Sequence, residues 1–338
     1  MTKWYDTKGN GHDVVISSRV RLARNLVNFP FTAKADNKTS KEVVEKVKSA
    51  FESNYPEKLE IIDINSTKTD KNVLLEDHMI SPDFCAPSPL ERILITDETG
   101  NLSIMVNEED HVRIQSIYNG FELDKAYETA CKADDALSKS AEIAFDENLG
   151  YITACPTNLG TGLRASVMVH IPAICAYGYI RTLVTLMTKI GLTVRGLYGE
   201  GSEGQACMYQ ISNQVTLGIS EKDAIEKLKN AVNQIISKEE ELRKNIISSG
   251  DISMSDKIWR SYGELKYARS IDTSEASRLI SNVRLGAVCG IIPECKDINL
   301  VKLLFEIMPA HIASRFSDAV SPEKRDEFRA TYIREALK

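Results

Sequence analysis

Three arginines, Arg19, Arg21 and Arg24, follow closely on the apolar run Val14-Val15-Ile16. In a strand, side chains two apart point the same way, so Arg19 and Arg21 can converge on one ligand. Each guanidinium offers a planar fork of donors that matches phosphate oxygens. A second cluster, Asn107-Glu108-Glu109-Asp110-His111-Val112-Arg113, sets three consecutive carboxylates beside a histidine and an arginine. Like charges so crowded repel, so the cluster either faces water as a hairpin turn or awaits a cationic substrate. In Cys155-Pro156-Thr157-Asn158-Leu159-Gly160-Thr161-Gly162-Leu163-Arg164, proline stiffens the exit from a strand, two glycines permit a tight turn and an arginine is expected to open a helix. A thiol near a helix start and arginines is a candidate low-pKa thiolate, an inert half-buried cysteine being the bland alternative. Finally, Arg195-Gly196 precedes Gly199-Glu200-Gly201-Ser202-Glu203-Gly204, which matches G-x-G-x-x-G by letter. Strands on both sides speak against a dinucleotide site. A glycine-hinged loop carrying acids over an active site fits better.

Other patterns are missing. The sequence has no G-x-x-x-x-G-K-[ST], H-R-D, D-F-G or H-E-x-x-H, and its five histidines lie far apart. P-loop enzymes, hydroxyl-directed protein kinases and a transition-metal centre are therefore not expected, and protein side chains should supply no metal site. A net charge of −6 gives no basic field for nucleic acid or an anionic membrane. The start is polar, and no apolar run approaches a membrane span, so a soluble chain is expected. Seven scattered cysteines suit a reduced, cytoplasmic protein.

These groups need a scaffold. Valines at 43, 44 and 47 with Phe51 predict an amphipathic helix over 39–51. Strand-like pieces at 91–96, 102–107 and 112–117, the first two joined by Asp97-Glu98-Thr99-Gly100-Asn101, predict antiparallel pairing. A helix is expected over 123–144, a strand at 151–154, two buried helical stretches within 164–190, and strands over 192–198 and 208–217. From Ser220 the pattern turns helical: one long helix toward 247, then 255–268, 273–285, 299–308 and 322–337. The expected class is α+β, an antiparallel sheet flanked by helices with a C-terminal helical domain. The division falls at 1–249 (catalytic) and 250–338 (helical).

Four motifs in this order, Ser17-Ser18-Arg19-Val20-Arg21, the Asn107–Arg113 cluster, Cys155–Arg164 and the segment from Arg195, resemble the ATP:guanido phosphotransferases, the family of creatine and arginine kinases. Within it the chain is most similar to the bacterial branch that phosphorylates arginine in proteins. The expected lack of a helical domain ahead of Arg19, the helical C-terminal extension, the form of the glycine loop and Arg325-Asp326-Glu327-Phe328-Arg329-Ala330 all point to that branch. The resemblance implies ATP with Mg2+ as cofactors. It implies ATP contacts from Ser17, Ser18, Arg19, Val20, Arg21, His78, Arg113, Arg164, Ala165, Ser166, Val167, Met168, Arg195, Gly196, Leu197, Tyr198, Gly199 and Glu200. Glu109 becomes the main base, with Glu200 opposite it and Glu203 or Asp110 as alternatives to Glu200. Arg113 and Arg195 act on the migrating phosphoryl, and Cys155 tunes the electrostatics. Arg325, Asp326, Arg329 and Ala330 are implied to form an allosteric phosphoarginine pocket. Protein substrates, a homodimer, the zinc-binding activator McsA, the repressor CtsR and the ClpC–ClpP protease are implied partners, and substrates would be marked for degradation or altered in repressor activity. A small-molecule guanidino kinase and a non-catalytic phosphoarginine-binding adaptor are the alternatives.

Overall fold

The structure, a computed structural model, describes the chain except residues 1, 8, 10, 12, 67–69, 197–204, 251 and 319–320. Its strands are β1 (Val15–Arg24), β2 (Leu59–Asp63), β3 (Ile93–Asp97), β4 (Leu102–Val106), β5 (Val112–Asn119), β6 (Phe145–Asp146), β7 (Gly150–Tyr151), β8 (Leu163–His170), β9 (Leu192–Gly196) and β10 (Met208–Asn213). The helices are α1 (Asn37–Asn54), α2 (Lys71–Glu76), α3 (Pro82–Cys85), α4 (Leu123–Ser138), α5 (Pro172–Ala176), α6 (Ile180–Lys189), α7 (Glu221–Ser249), α8 (Ile252–Tyr267), α9 (Thr273–Val288), α10 (Leu300–Glu306), α11 (Pro309–Arg315) and α12 (Pro322–Ala336). Close contacts divide the chain into two units. The first comprises Met1–Asn10, Ser17–Val167 and Ser212–Lys229; the second comprises Gly11–Ile16, Met168–Ile211 and Asn230–Lys338.

In the first unit the strand order is β2-β3-β4-β5-β1-β8, and the pairs from β2 to β1 are antiparallel. Strands β3, β4 and β5 are almost wholly buried; apolar side chains dominate both faces of β3 and β4, whereas one face of β5 carries Arg113, Gln115 and Asn119. On one face, α1 buries Val43, Val44, Val47, Ala50 and Phe51, the stripe its spacing predicts, and packs beside α4. The side chain of Asp36 accepts from Thr39 N at 2.7 Å, which satisfies an orphan donor of the first turn and starts α1. Helix α4 turns Ala126, Ala130, Ala133 and Ala136 inward, and side chains this small let it lie close to its neighbours. A separate cluster of Ile64, Ile80, Phe84, Leu94 and Met105 packs α3 and the segment around it against β3 and β4.

The second unit holds the remaining parts of β8 and β10, then β9, with the helices from Asn230 onward. Its buried polar centre is fully engaged. Glu239 accepts from the N–H groups of Ala173 and Ile174 at the start of α5, and from Arg243 Nε at 2.8 Å. Arg243 and Arg284 both donate to the carbonyl of Asp13. Arg284 also approaches His170, whose ring pKa is driven far below its ordinary value by burial and by the two arginines.

Several local expectations need correction: the strand expected at 151–154 reduces to β7, Gly150–Tyr151, and the one expected over 208–217 stops at Asn213. Sequence spacing predicts a helix from residue 164, but Leu163–His170 is strand β8. The two-residue alternation Leu163/Ala165/Val167 against Arg164/Ser166 decides it, masked in sequence by the apolar residues that follow. Arg164 therefore sits on a strand and opens no helix. Likewise, α4 stops at Ser138, short of residue 144.

Candidate active site

Strand β1 alternates as its sequence requires. Arg19 and Arg21 are half-buried on one side, while Val20 and Leu22 point into the core. Antiparallel register sets Arg113 of β5 opposite Ala23 and Gln115 opposite Arg21, so Arg113 emerges on the arginine side. From β8, Ser166 is 3.4 Å from Arg19 Nε, and Arg164 donates to Ser212 Oγ at 3.2 Å. Four guanidinium groups thus meet on one face of the sheet. Burial first, then the fields of Arg113 and Arg164, pull the pKa of Arg19 from 12.5 to about 10. Arg21 is pulled well down by burial and by Arg19, Arg113 and Arg164, against which Glu108 acts. Its Nε is buried with no hydrogen-bond partner. Such crowding of permanent charge is costly without an anion, and the forks present suit a polyphosphate.

His78 borders the same face. It takes a left-handed backbone (φ 60°), its carbonyl accepts from Gln115 Nε2 at 2.7 Å, and its ring stacks on Trp4 at 6.5 Å. Burial and then Arg19 lower its pKa to about 4, which keeps the ring neutral. Asp77 anchors this corner by accepting from Tyr5 Oη and Lys3 Nζ, while its carbonyl accepts from Trp4 Nε1.

The acidic turn is not three equivalent carboxylates. Glu108 is buried; it accepts from Arg113 Nη1 at 2.6 Å and from Ser81 Oγ at 2.6 Å. Asp110 is buried too, and its Oδ1 accepts from Asn25 Nδ2 at 2.6 Å and Ala154 N at 2.7 Å. Asn25 Oδ1 accepts from His111 N, and the His111 ring accepts from Leu26 N through Nδ1, so its proton lies on Nε2, facing the Pro30 carbonyl. Burial lowers the pKa of this histidine and keeps it neutral. Only Glu109 remains open, with its side chain 42% exposed and 3.7 Å from Arg113 Nη2. Its pKa is raised by burial and by Asp110, against Arg113.

Opposite this turn stands the segment from Cys155. Residues Pro156–Asn158 form a short 3-10 turn, and Cys155 Sγ lies 3.0 Å from Thr157 Oγ1. Gly162 is required: its φ is +62°, and a Cβ would stand 2.7 Å from the Ala23 carbonyl. Together Arg21, Arg113, Arg164, Glu109, Cys155 and Asn158 line a cavity of about 140 Å³. Ligand pockets usually span ~300–1,000 Å³, so this one suits a phosphoryl and a guanidinium rather than a whole nucleotide. No group of three or more His, Cys, Asp or Glu among the described residues could hold a metal ion.

The remaining predicted residues belong to both units. Ser17, Ser18 and Val20 are buried in β1, where Ser18 Oγ bonds the Gly120 carbonyl. Ala165 and Val167 are buried in β8, and Met168 and Gly196 are buried in the second unit. Arg195 is an exposed residue of β9 in that unit. Leu197, Tyr198, Gly199, Glu200 and Glu203 lie outside the described residues. Arg24 leaves the other arginines: it is buried, holds Asp134 in a two-pronged pair and lies 3.5 Å under the Tyr151 ring. Arg325 is half-buried on α12, and Ala330 is buried beside Arg329. Arg329 donates to the carbonyls of Ile307 and Ile271 at 2.8 Å each and pairs with Asp326. Sequence reasoning missed Asn25, Ser81 and Ser212. Each is a common polar residue far along the chain from the group it holds, and no local pattern marks it.

Residues 42–242 match the ATP:guanido phosphotransferase C-terminal catalytic domain. The chain belongs to the ATP:guanido phosphotransferase family. Residues 251–338 match the protein-arginine kinase McsB C-terminal domain. A protein-arginine kinase of Clostridium kluyveri is 44% identical over 341 residues, covering 100% of this chain and 99% of that one. Another, of Brevibacillus brevis, is 42% identical, covering 100% of this chain and 95% of its own. Among solved structures, the substrate-free duplicated taurocyamine kinase of Schistosoma mansoni superposes with a TM-score of 0.60 at 28% identity, covering 70% of this chain and 35% of that one. Lombricine kinase gives a TM-score of 0.62 at 24% identity over 72% of each chain, a likeness of fold. The guanido-kinase fold, an antiparallel sheet flanked by helices, is thus common to this chain and enzymes acting on guanidino compounds.

Proposed function

We propose that this member of the family is a protein arginine kinase, which moves the γ-phosphoryl of ATP onto the guanidinium of arginine side chains in proteins. The observation that carries the proposal is one open carboxylate, Glu109, set at the edge of four convergent guanidinium groups. The likeness to protein-arginine kinases along the whole chain supports a protein-borne substrate.

Arg19, Arg21, Arg113 and Arg164 hold the phosphates and spread the charge of the loose transition state over fixed donors. His78, neutral beside Arg19, borders the nucleotide. Mg2+ would be held by the nucleotide rather than by protein side chains and would supply countercharge to the phosphates alongside Arg19, Arg21, Arg113 and Arg164. Glu109 receives the incoming guanidinium in a two-pronged bond, aligns one nitrogen with the γ-phosphorus and takes its proton. The P–N bond forms as the bond from phosphorus to the departing ADP oxygen breaks. No phosphoenzyme is needed, so Cys155 shapes the field around the guanidinium. Arg195 and the loop with Glu200 complete the set by family resemblance.

The test is phosphorylation of an unfolded arginine-rich protein, with acid-labile phosphoarginine mapped by mass spectrometry. Glu109→Gln should lower kcat by about 10²–10⁴ while leaving nucleotide affinity within about twofold. The wild-type rate should fall toward acid at a pH above the ordinary carboxylate range, because the Glu109 pKa is raised and its charged form acts. Full activity of the substituted enzyme would remove the assigned base. A second reading, a small-molecule guanidino kinase, draws on the taurocyamine and lombricine kinase folds; faster transfer to free arginine than to protein would favour it. An adaptor that only reads phosphoarginine would consume no ATP.

The wider role rests on family likeness. The catalytic part is taken as 1–249 and the helical part as 250–338. Arg325, Asp326, Arg329 and Ala330 are proposed to bind a regulatory phosphoarginine, with Arg325 and Arg329 one turn apart on α12. Among the described residues no helix is long and apolar enough to cross a membrane, and a cytoplasmic place suits a protein whose cysteines are free thiols. Exposed Ile247, Ile252 and Trp259 give the second unit an apolar surface suited to a homodimer. McsA, CtsR and ClpC–ClpP are the proposed partners in marking proteins for degradation.

A further inference from the structure

The segment from Cys155 to Arg164 has two sides. Cys155, Thr157 and Gly162 line the catalytic cavity, whereas Gly160 and Thr161 line a second, open groove. Thr161 and Gly162 are consecutive, so a single stretch of backbone divides the two. The far walls of the groove carry Phe145, Leu149 and Leu217, which are 59%, 43% and 49% exposed. Large apolar side chains gathered in a concavity beside an active site, rather than scattered singly, mark a recognition surface.

This groove is built beforehand. Tyr151 N donates to the Gly160 carbonyl at 2.7 Å, and Thr161 N donates to the Thr216 carbonyl at 3.0 Å. Thr216 Oγ1 in turn lies 3.0 Å and 2.7 Å from the carbonyls of Thr157 and Leu159. At Gly160 the φ is +109° and a Cβ would stand 2.2 Å from the Thr216 carbonyl, so only glycine fits. Tyr151 is fixed from beneath by the buried Arg24 guanidinium. Glu221 is the only ionisable carboxylate or base in the lining, tyrosine aside, and it is already engaged, accepting from Tyr127 Oη at 2.7 Å and lying 3.6 Å from Arg24 Nη2, so the open negative charge is at the rim. Asp146 and Glu147 are exposed on the hairpin that carries Phe145, with no lysine or arginine between residues 142 and 151.

We propose that this groove is a substrate subsite, which takes an apolar side chain flanking the accepted arginine in an extended, neutral or basic polypeptide. The inference rests on the protein-kinase reading and narrows it to unfolded segments that expose apolar residues near arginine. Adjacency to the catalytic cavity across one stretch of backbone and the exposed Asp146 and Glu147 at the rim select this occupant over an acidic partner. An extended chain advances about 3.3 Å per residue, so a side chain near the arginine in sequence can cross the single stretch of backbone between cavity and groove.

The experiment compares kcat/KM for two arginine peptides, one flanked only by Gly and Ser, the other with Leu at those positions, using the full chain and the variants Leu217→Ser and Phe145→Ser. Wild type should prefer the Leu peptide by about tenfold, the yield of burying much of one such side chain. Each variant should cut that preference to below about threefold while the Gly/Ser peptide reacts at the wild-type rate. Melting temperature checks folding and should not move, both side chains being exposed. Equal rates for the two peptides in wild type, or an undiminished preference in both variants, would overturn the subsite. So would an equal loss on both peptides, or a changed oligomeric mass with the preference intact, which would make the face a self-association surface. Free arginine is the control for the underlying reading. Transfer to it with none to either peptide would overturn protein kinase activity itself, whereas transfer to both peptides without preference would sink only the subsite.

Discussion

Replacing Arg19 by methionine should stabilise the protein in the absence of nucleotide and weaken it in the presence of nucleotide. Holding the pKa of Arg19 at about 10 instead of 12.5 disfavours its charged form by about 3 kcal/mol. Burial is the larger cause, with Arg113 and Arg164 next. Methionine keeps an unbranched apolar stem and drops the charge, giving back part of that cost and losing the bond to Ser166. A net gain of about 1–2 kcal/mol is expected, or roughly 2–5 °C in melting temperature. Nucleotide reverses the order. At a hundredfold excess over Kd it stabilises wild type by about 2.7 kcal/mol, whereas loss of one charge-assisted contact should weaken binding about 10–100-fold. Thermal unfolding of both proteins, with and without Mg-ATP, reads the two effects in one series. The reasoning is refuted if Arg19→Met melts below wild type without nucleotide, as a plain packing defect would, or gains as much from ATP as wild type does.

Asp110→Ala should cost about 3 kcal/mol in urea unfolding, because the Asn25 amide and Ala154 N lose their acceptor; a change below about 1 kcal/mol would show that the clamp is not needed. The unfolded chain binds protons at histidine near pH 6.5, but folded His78 does so only near pH 4. Stability should therefore rise with pH across that window and fall as acid is added, by about 3 kcal/mol from this residue. His78→Asn, which tolerates the left-handed backbone, should shift the acid-unfolding midpoint to lower pH, and an unchanged midpoint would exclude His78 from the acid limb.

The arginine face was legible because strand alternation is a local rule: Arg19 and Arg21 share a side wherever β1 is placed. The acidic turn was legible only as a choice between a solvated hairpin and a waiting cation site. Neither describes Glu108 and Asp110, which are buried against Arg113, Ser81, Asn25 and Ala154. Arg113 belongs to the same motif, but Ser81, Asn25 and Ala154 come from distant parts of the chain, and pairings of that range leave no periodic trace. Motif order carried the family likeness and so reached His78, which no spacing rule singles out. Residues 164–170 misled because one polar–apolar alternation runs into an apolar stretch that suits either a strand or a buried helix.

The same desolvation that makes the site costly also bears on its chemistry. An arginine nucleophile is obstructed because its guanidinium holds its proton far more tightly than a carboxylate does. Within this site a resident guanidinium is held at about 10, and Glu109 is raised above its ordinary value. A substrate guanidinium that lost water on entering would shift in the same direction as Arg19, and its proton and the raised Glu109 carboxylate would then approach each other in energy. Each unit by which that gap closes is worth about 1.36 kcal/mol toward proton transfer. Nucleotide phosphates reverse the repulsion among the resident arginines but not the desolvation, which is the first cause at both Arg19 and Glu109. In the proposed mechanism the rigid strands set the cations against the phosphates, and the turn clamped by Asn25 presents its one open carboxylate to the departing proton.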